Sequence, residues 1–190
     1  MKKNSDGCNQ VIGRAMYLER IGCDFVKSAL LLFDTKEKTR EHSDYIYSFN
    51  LLASLALEIL PKSITATRIC LVENHKSSKK ICNIINKKLV CLGHKLDDIF
   101  EAEQGLKKAL NISNIERLNT GAVDEFHFTV SSEKIVIKNL EGARYGAFAR
   151  NENFGAGCYD KNTISFLENL LKETTKIRSD MVKKFDDSKA

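Results

Sequence analysis

The sequence has little that would interrupt helices and no cysteines spaced in pairs. Its 190 residues include one proline and no tryptophan, which is typical of long helices joined by short loops. The six cysteines lack a paired spacing, so we expect free thiols in a reducing compartment. Residues 1–7 lack the apolar segment of a secretory signal, and the apolar runs 28–33 and 45–57 are too short to span a bilayer comfortably. These absences predict a cytoplasmic protein with no membrane partner.

Charges of both signs run along most of the chain. Hydrophobic residues make up 43% and charged residues 29%, the proportions of an ordinary globular domain. The net charge is +5, and because lysines and arginines alternate with acids, most of it indicates a solvated surface. A chain of this length buries a substantial core, and we interpret residues 1–190 as one domain.

Apolar residues recur with a helical period over most of the chain. This pattern predicts helices over residues 10–33, 79–91 and 95–103. Gly93 fits the C-terminal stop of the helix over residues 79–91, and Asp160 can cap a last helix. A further helix, over residues 41–60, is apolar nearly all round, as expected at the centre of a bundle.

Two short segments are harder to interpret. Pro61 lacks a backbone N–H, so it kinks or ends the central helix. Residues 63–72 then fit either a strand, because they are rich in threonine and isoleucine, or the same helix continued past a kink. We interpret residues 111–118 as a further helical turn or two.

The apolar period changes to two in the C-terminal half. Phe126 and Phe128 alternate with polar residues, and Ile135 and Ile137 do the same after three turn-compatible residues. This predicts a β-hairpin near residues 124–139. The predicted fold class is therefore mainly α, an up-and-down bundle of about five helices with a β-hairpin insertion.

The polar residues of the central helix form one narrow stripe. Asn50, Ser54, Glu58 and Lys62 follow one another in steps of four, which places them on a single face. A carboxylate on a buried helix needs a charge partner or hydrogen bonds, since burying it alone costs several kcal/mol. Glu58 therefore requires a partner.

Three cations are candidates for pairing with Glu58. Lys62 is one turn away, but Pro61 disturbs that turn, so we expect this local pair to be the weakest option. His94 and Arg144 would instead join distant segments to the central helix. We predict that Glu58 contacts His94 or Arg144, as a bridge that fixes helix order. If the pair lines an open cleft, these residues become candidates for ligand binding.

Arg144 and Tyr145 follow the predicted hairpin. The arginine suits a buried carboxylate or a ligand, and the pair also suits a packing corner between hairpin and last helix, which we favour. No catalytic triad, zinc-protease, phosphate-loop or dinucleotide fingerprint is present in the sequence.

Five potential soft metal ligands fall within residues 70–94. Cys82 and Cys91 belong to helical apolar patterns, where a free cysteine acts as a small hydrophobic residue. No C-x-x-C pair accompanies them, so we predict no metal and no cofactor. The five are Cys70, His75, Cys82, Cys91 and His94.

The densest basic cluster contains five lysines. They are Lys76, Lys79, Lys80, Lys87 and Lys88. Such a cluster can contact phosphates. Acids follow at residues 97–103 and no aromatic residue interleaves the lysines, so we favour a solvated face.

The central helix and the segment after the third helix resemble the HEPN superfamily of bacterial and archaeal helical proteins. In that family an apolar helix with a glutamate and a nearby lysine, here Glu58 and Lys62, precedes a loop and helix of the Gly-His-x-Leu type. Residues 93–100 have this pattern. Arg144 and Tyr145 before a last helix also look similar. The resemblance implies an up-and-down bundle, often dimeric, although Pro61 and the hairpin depart from it.

Family membership implies one of two functions. Some members are metal-independent endoribonucleases with an Arg-(four to six residues)-His motif, which only Arg68 and His75 match here, with Ile69 where a polar residue is usual. A catalytic pair of Arg68 and His75, assisted by His94, is therefore the alternative hypothesis. Other members lack the motif and bind nucleotides or proteins. We predict a non-catalytic helical binding module for a partner protein, a nucleotide or RNA, as a homodimer or with that partner, in bacterial defence, toxin–antitoxin or regulation.

Overall fold

The computed structural model describes residues 3–39, 44–119, 124–139 and 161–188. Within these ranges the chain forms six helices and one three-stranded sheet. The helices are α1 (Lys3–Thr39), α2 (Asp44–Val72), α3 (Ser78–Leu92), α4 (Leu96–Ala102), α5 (Gln104–Ala109) and α6 (Lys161–Asp187), and the strands are β1 (Ile112–Asn119), β2 (Asp124–Val130) and β3 (Glu133–Asn139). The predicted class, a mainly α bundle with a β-hairpin, is confirmed. α1 and α2 are longer than predicted, and the short helix α5 was not expected.

α2 lies at the centre of the bundle, as its all-round apolarity predicts. It packs against α1, α3, α4, α6 and β3. Its residues Ala53, Ala56, Leu57, Leu60 and Ile64 are fully buried. Burial of apolar area contributes about 25 cal/mol per Å², and this packing stabilises a long helix more than its intrinsic propensity does.

Pro61 lies inside α2 and does not end it. Of the two interpretations left open for residues 63–72, the structure has the helical one, because α2 continues past residue 60 to Val72 and these residues form no strand. A proline within a helix costs about 3 kcal/mol. Pro61, Ile64 and Cys70 are all buried, and the packing of this half of α2 offsets the cost.

The prediction that residues 111–118 are helical is wrong. Residues 112–119 form the strand β1. β1 pairs antiparallel with β2, which pairs antiparallel with β3. Ile115, for example, lies opposite Phe128. The backbone N–H and C=O groups of β1 are paired with those of β2. The apolar periodicity of residues 111–118 alone does not indicate this pairing.

β2 and β3 form the predicted hairpin, which closes at Ser131 and Ser132. Both serines have positive φ, 48° and 75°, as the two central residues of a type I′ turn require. Phe128 on the buried face contacts Phe100 of α4 and Phe166 of α6, at ring-centroid distances of 5.7 Å and 5.3 Å. The hairpin therefore packs on the helices and closes one side of the main core.

The buried apolar residues form two clusters. The larger cluster joins α2, both ends of the α4–α5 segment, α6 and the sheet, with Val26 and Ala29 of α1. The smaller cluster lies among α1, α2 and α3. Its buried members are Val11, Ala15, Ala66, Cys70, Ile81 and Ile85.

Candidate functional site

Glu58 contacts Lys62 and His94 at the place where α2 lies against the turn after α3. Lys62 Nζ donates to Glu58 Oε1 over 2.8 Å, and His94 Nδ1 lies 2.8 Å from Glu58 Oε2. Lys62 also donates to the carbonyl oxygen of Gly93. The predicted contact of Glu58 with His94 is confirmed. We refer to Glu58, Lys62 and His94 as the Glu58 cluster.

The expectation that Lys62 would be the weakest partner of Glu58 is wrong. α2 stays helical through Pro61, so Lys62 remains one turn from the carboxylate and the two side chains meet. The Lys62 side chain is only 8% exposed. A buried ammonium without partners costs several kcal/mol, which is why both of its acceptors matter to the fold.

The turn at Gly93 positions His94 in the Glu58 cluster. Gly93 ends α3 with a φ of 56°, and its N–H donates to the carbonyl oxygen of Val90. With ψ at −141° as well, this is a backbone conformation that glycine adopts without the Cβ penalty that other residues incur. The resulting turn brings the Gly93 carbonyl to Lys62 and the imidazole of His94 to Glu58, so Gly93 is the helix stop that the sequence predicts.

His94 is the most solvent-exposed member of the Glu58 cluster. The His94 side chain is 54% exposed, whereas that of Glu58 is 14% exposed. Both carboxylate oxygens of Glu58 already have a cationic or imidazole partner, an arrangement that suits a bridge between segments. Arg144 and Tyr145, the other candidate binding residues, lie outside the described residues.

Arg68, the candidate catalytic arginine, is paired with a buried carboxylate. Its Nη1 donates to Glu103 Oε1 over 3.0 Å, and its Nη2 donates to Glu103 Oε2 over 2.6 Å. Thr65 Oγ1 also donates to Glu103. The Glu103 side chain is 1% exposed, and a bidentate guanidinium satisfies both of its oxygens. Arg68 therefore ties α2 to the junction of α4 and α5.

His75, the second candidate catalytic residue, lies in the turn between α2 and α3. Its side chain is 69% exposed, and its Nε2 is 4.0 Å from Glu73 Oε2. Lys76 Nζ lies closer to the same oxygen, at 2.5 Å. In the described part of the chain, no hydrogen bond or ion pair joins His75 to Arg68.

A buried ion pair that was not predicted from the sequence joins the first and last helices. Arg178 of α6 is 5% exposed and donates through Nη1 to Glu19 of α1 and through Nε to Thr67 Oγ1 of α2, the latter over 2.8 Å. Thr175 Oγ1 also donates to Glu19, over 3.0 Å. Burial lowers the pKa of Arg178 below its ordinary value, yet a guanidinium stays charged at neutral pH.

A signal for this ion pair was present in the sequence. The buried face of α6 proceeds in four-residue steps through Phe166, Leu170, Thr174 and Arg178. An arginine that continues a buried series must find an acceptor within the bundle, although the series does not identify Glu19.

Four lysines occupy the solvent face of α3. Lys79, Lys80, Lys87 and Lys88 are exposed, and we name them the α3 lysine face. None of them forms an ion pair with another described residue. The helix Ser78–Leu92 contains no acidic residue. Lys76, the fifth member of the predicted cluster, is instead paired with Glu73.

The potential soft ligands of residues 70–94 lie in different surroundings. Cys70 is buried, Cys82 is half-buried and Cys91 is exposed. The described residues hold no group of three or more histidine, cysteine, aspartate or glutamate side chains suited to a metal ion. In those residues, too, no helix combines the length and the apolarity that crossing a membrane requires.

Comparison of the chain with protein-family models, with curated proteins and with solved structures finds no match.

Proposed function

We propose that the chain is a non-catalytic helical binding module that holds RNA by its phosphates on the α3 lysine face. The observation that carries the proposal is an exposed helix face with four lysines, no acid in the helix, and no ion pair to any described residue. Unpaired cations on one face attract a polyanion and release its counterions on binding.

The nearby acids form no ion pair with this face in the described part of the chain. Residues 97–103 follow α3 in the sequence, but Glu101 pairs with Lys107 and Glu103 pairs with Arg68. Neither forms an ion pair with the lysines of α3. The acids that follow α3 in the sequence favoured a solvated face, but they do not pair with its lysines in space.

The spacing of the lysines suits a phosphate backbone. Lys80 and Lys87 are seven residues apart, so they lie on nearly the same line, separated by about two turns or roughly 10 Å along the axis. Lys79 and Lys88 flank that line on either side. The face is therefore long enough to contact more than one phosphate of a strand. Phosphate contacts of this kind position a nucleic acid without reading its sequence.

The pairing of Arg68 supports a non-catalytic role. To act on RNA, Arg68 would have to leave Glu103, whose side chain is 1% exposed. The Arg68 side chain is itself 47% exposed, but its departure would leave the buried carboxylate of Glu103 without a charge partner, which costs free energy. The arginine is thus better suited to holding the helices together than to binding a scissile phosphate.

The resemblance to the HEPN superfamily supplies the setting of this proposal. The glutamate, lysine and histidine of its motif are Glu58, Lys62 and His94, which meet in one cluster. The resemblance supports our proposal that the module acts as a homodimer or with a partner protein, in a bacterial defence, toxin–antitoxin or regulatory system, and we propose a cytoplasmic location from the sequence. A role of the Glu58 cluster in ligand binding stays part of the same hypothesis.

The proposal is tested by the binding of a fluorescently labelled single-stranded RNA, measured by anisotropy over a range of salt concentrations. The variant Lys80→Gln/Lys87→Gln should bind about tenfold more weakly near 0.1 M salt. Its plot of log affinity against log salt should flatten by about 1.4, since each lost phosphate contact on a single strand contributes about 0.7.

The matched control is Lys172→Gln/Lys176→Gln, which removes the same charge from exposed positions of α6. That helix also carries acids, so this variant should bind like the parent. Equal weakening by both double variants would attribute the binding to net charge and contradict the proposal. Metal-independent cleavage of the RNA that His75→Ala abolishes would establish the endoribonuclease instead.

A further inference from the structure

A cavity of about 290 Å³ opens between α1 and α3, within the smaller apolar cluster. Its walls include Val11 and Ala15 of α1, Ala66 of α2 and Ile85 of α3, all of them buried. Leu18 and Leu89 extend the apolar lining. A small, mostly apolar cavity with a few polar groups is the usual form of a small-molecule site.

The charged group in the lining of this cavity is Arg14 of α1. Its Nη1 donates to Cys82 Sγ over 3.1 Å, and it forms no ion pair with a described residue. Arg68 and Arg178, by contrast, are each paired with a carboxylate. A thiol is a weak acceptor, so Arg14 retains its capacity for a carboxylate partner.

Two further polar side chains line the cavity where it meets solvent. Tyr17 is 64% exposed and Asn86 is exposed. A ligand seated here would meet an apolar interior and a polar mouth with one positive charge. A guanidinium matches the geometry of a carboxylate through two parallel hydrogen bonds.

We propose that this cavity binds a small amphiphilic carboxylate, with its hydrocarbon part among the apolar walls and its carboxylate on Arg14. The volume is that of about ten water molecules, which matches an acid of about eight carbons. The site is independent of the α3 lysine face, since none of the four lysines of that face lines the cavity.

The first test is isothermal titration calorimetry with octanoate. It should bind the native protein with a stoichiometry of one, whereas butyrate, which lacks four methylenes, should bind at least about a hundredfold more weakly. Arg14→Gln should weaken octanoate binding at least about tenfold, because a charge-assisted pair is lost. The matched control Arg20→Gln, at an exposed position of α1 outside the cavity lining, should change it less than about twofold.

The second test locates the bound ligand. Octanoate should slow the alkylation of Cys82, measured by peptide mass mapping, without slowing that of Cys91, which is exposed on the same helix. The proposal is overturned if octanoate produces no binding heat, if Arg14→Gln and Arg20→Gln bind it equally, or if Cys82 gains no protection. None of these results would alter RNA binding by the α3 lysine face, so the two proposals fail separately.

Discussion

Replacing Glu58 with alanine should destabilise the protein chiefly through Lys62, the cation that the substitution leaves buried. The Lys62 side chain is 8% exposed, and its acceptors are Glu58 Oε1 and the carbonyl oxygen of Gly93. Removing one partner of a buried ion pair typically costs about 3–5 kcal/mol. Because Lys62 keeps the Gly93 carbonyl and Glu58 itself is 14% exposed, we expect the low end, about 3 kcal/mol.

His94 should contribute much less to this loss. Its side chain is 54% exposed, and ion pairs that reach the solvent are worth about 0–1 kcal/mol. His94→Ala should therefore lower the free energy of unfolding by less than about 1 kcal/mol. The difference in unfolding free energy between Glu58→Ala and His94→Ala therefore distinguishes the contribution of the buried pair with Lys62 from that of the exposed contact with His94.

The measurement is the free energy of unfolding in urea for the parent, Glu58→Ala, Lys62→Met and the double variant. The double variant should be more stable than the sum of the single losses predicts, because it leaves no unpaired buried charge. The matched control is Glu73→Ala, which breaks the more exposed pair with Lys76 and should cost less than about 1 kcal/mol. The reasoning is refuted if Glu58→Ala unfolds like the parent, or if His94→Ala costs as much as Glu58→Ala.

Two further predictions concern glycines and cysteines. Gly22→Ala should destabilise by about 1–3 kcal/mol in urea unfolding, because its Cβ would lie 2.6 Å from Cγ of the buried Leu60. Gly13→Ala in the same helix meets nothing within 4 Å and should stabilise by about 0.5–1 kcal/mol; a loss at both sites would contradict the packing argument. Burial raises the pKa of the Cys23 thiol above its ordinary 9.0, so at pH 8 iodoacetamide should alkylate it about tenfold more slowly than the exposed Cys91. Since the unfolded thiol ionises first, stability should also fall as the pH rises past 9.0, less so in Cys23→Ala.

Much of the secondary structure could be predicted because its causes are local. The amphipathic period of α3 and the alternation around Phe128 identified these elements from neighbouring residues alone. Gly93 was recognisable as a helix stop for the same reason. Glu58 on an all-round apolar helix indicated a carboxylate in need of a partner, and His94 was one of the two partners predicted for it.

The remaining features depended on partners that lie far away in the chain. β1 exists because β2 lies beside it, and the ion pair of Arg178 with Glu19 joins residues 159 positions apart. The pair of Arg68 with Glu103 spans 35 positions. Sequence periodicity reports which face of a segment is apolar, and it does not report which other segment covers that face.

The sequence by itself determined that this protein has long helices, a central apolar helix with one polar stripe, and a hairpin packed on its apolar face. Tertiary structure alone decided that α2 continues through Pro61 and that Lys62 therefore reaches Glu58. The physical reason is the balance of free energies at that point. A proline in a helix costs about 3 kcal/mol locally, and only the burial of the following residues against other parts of the bundle outweighs it.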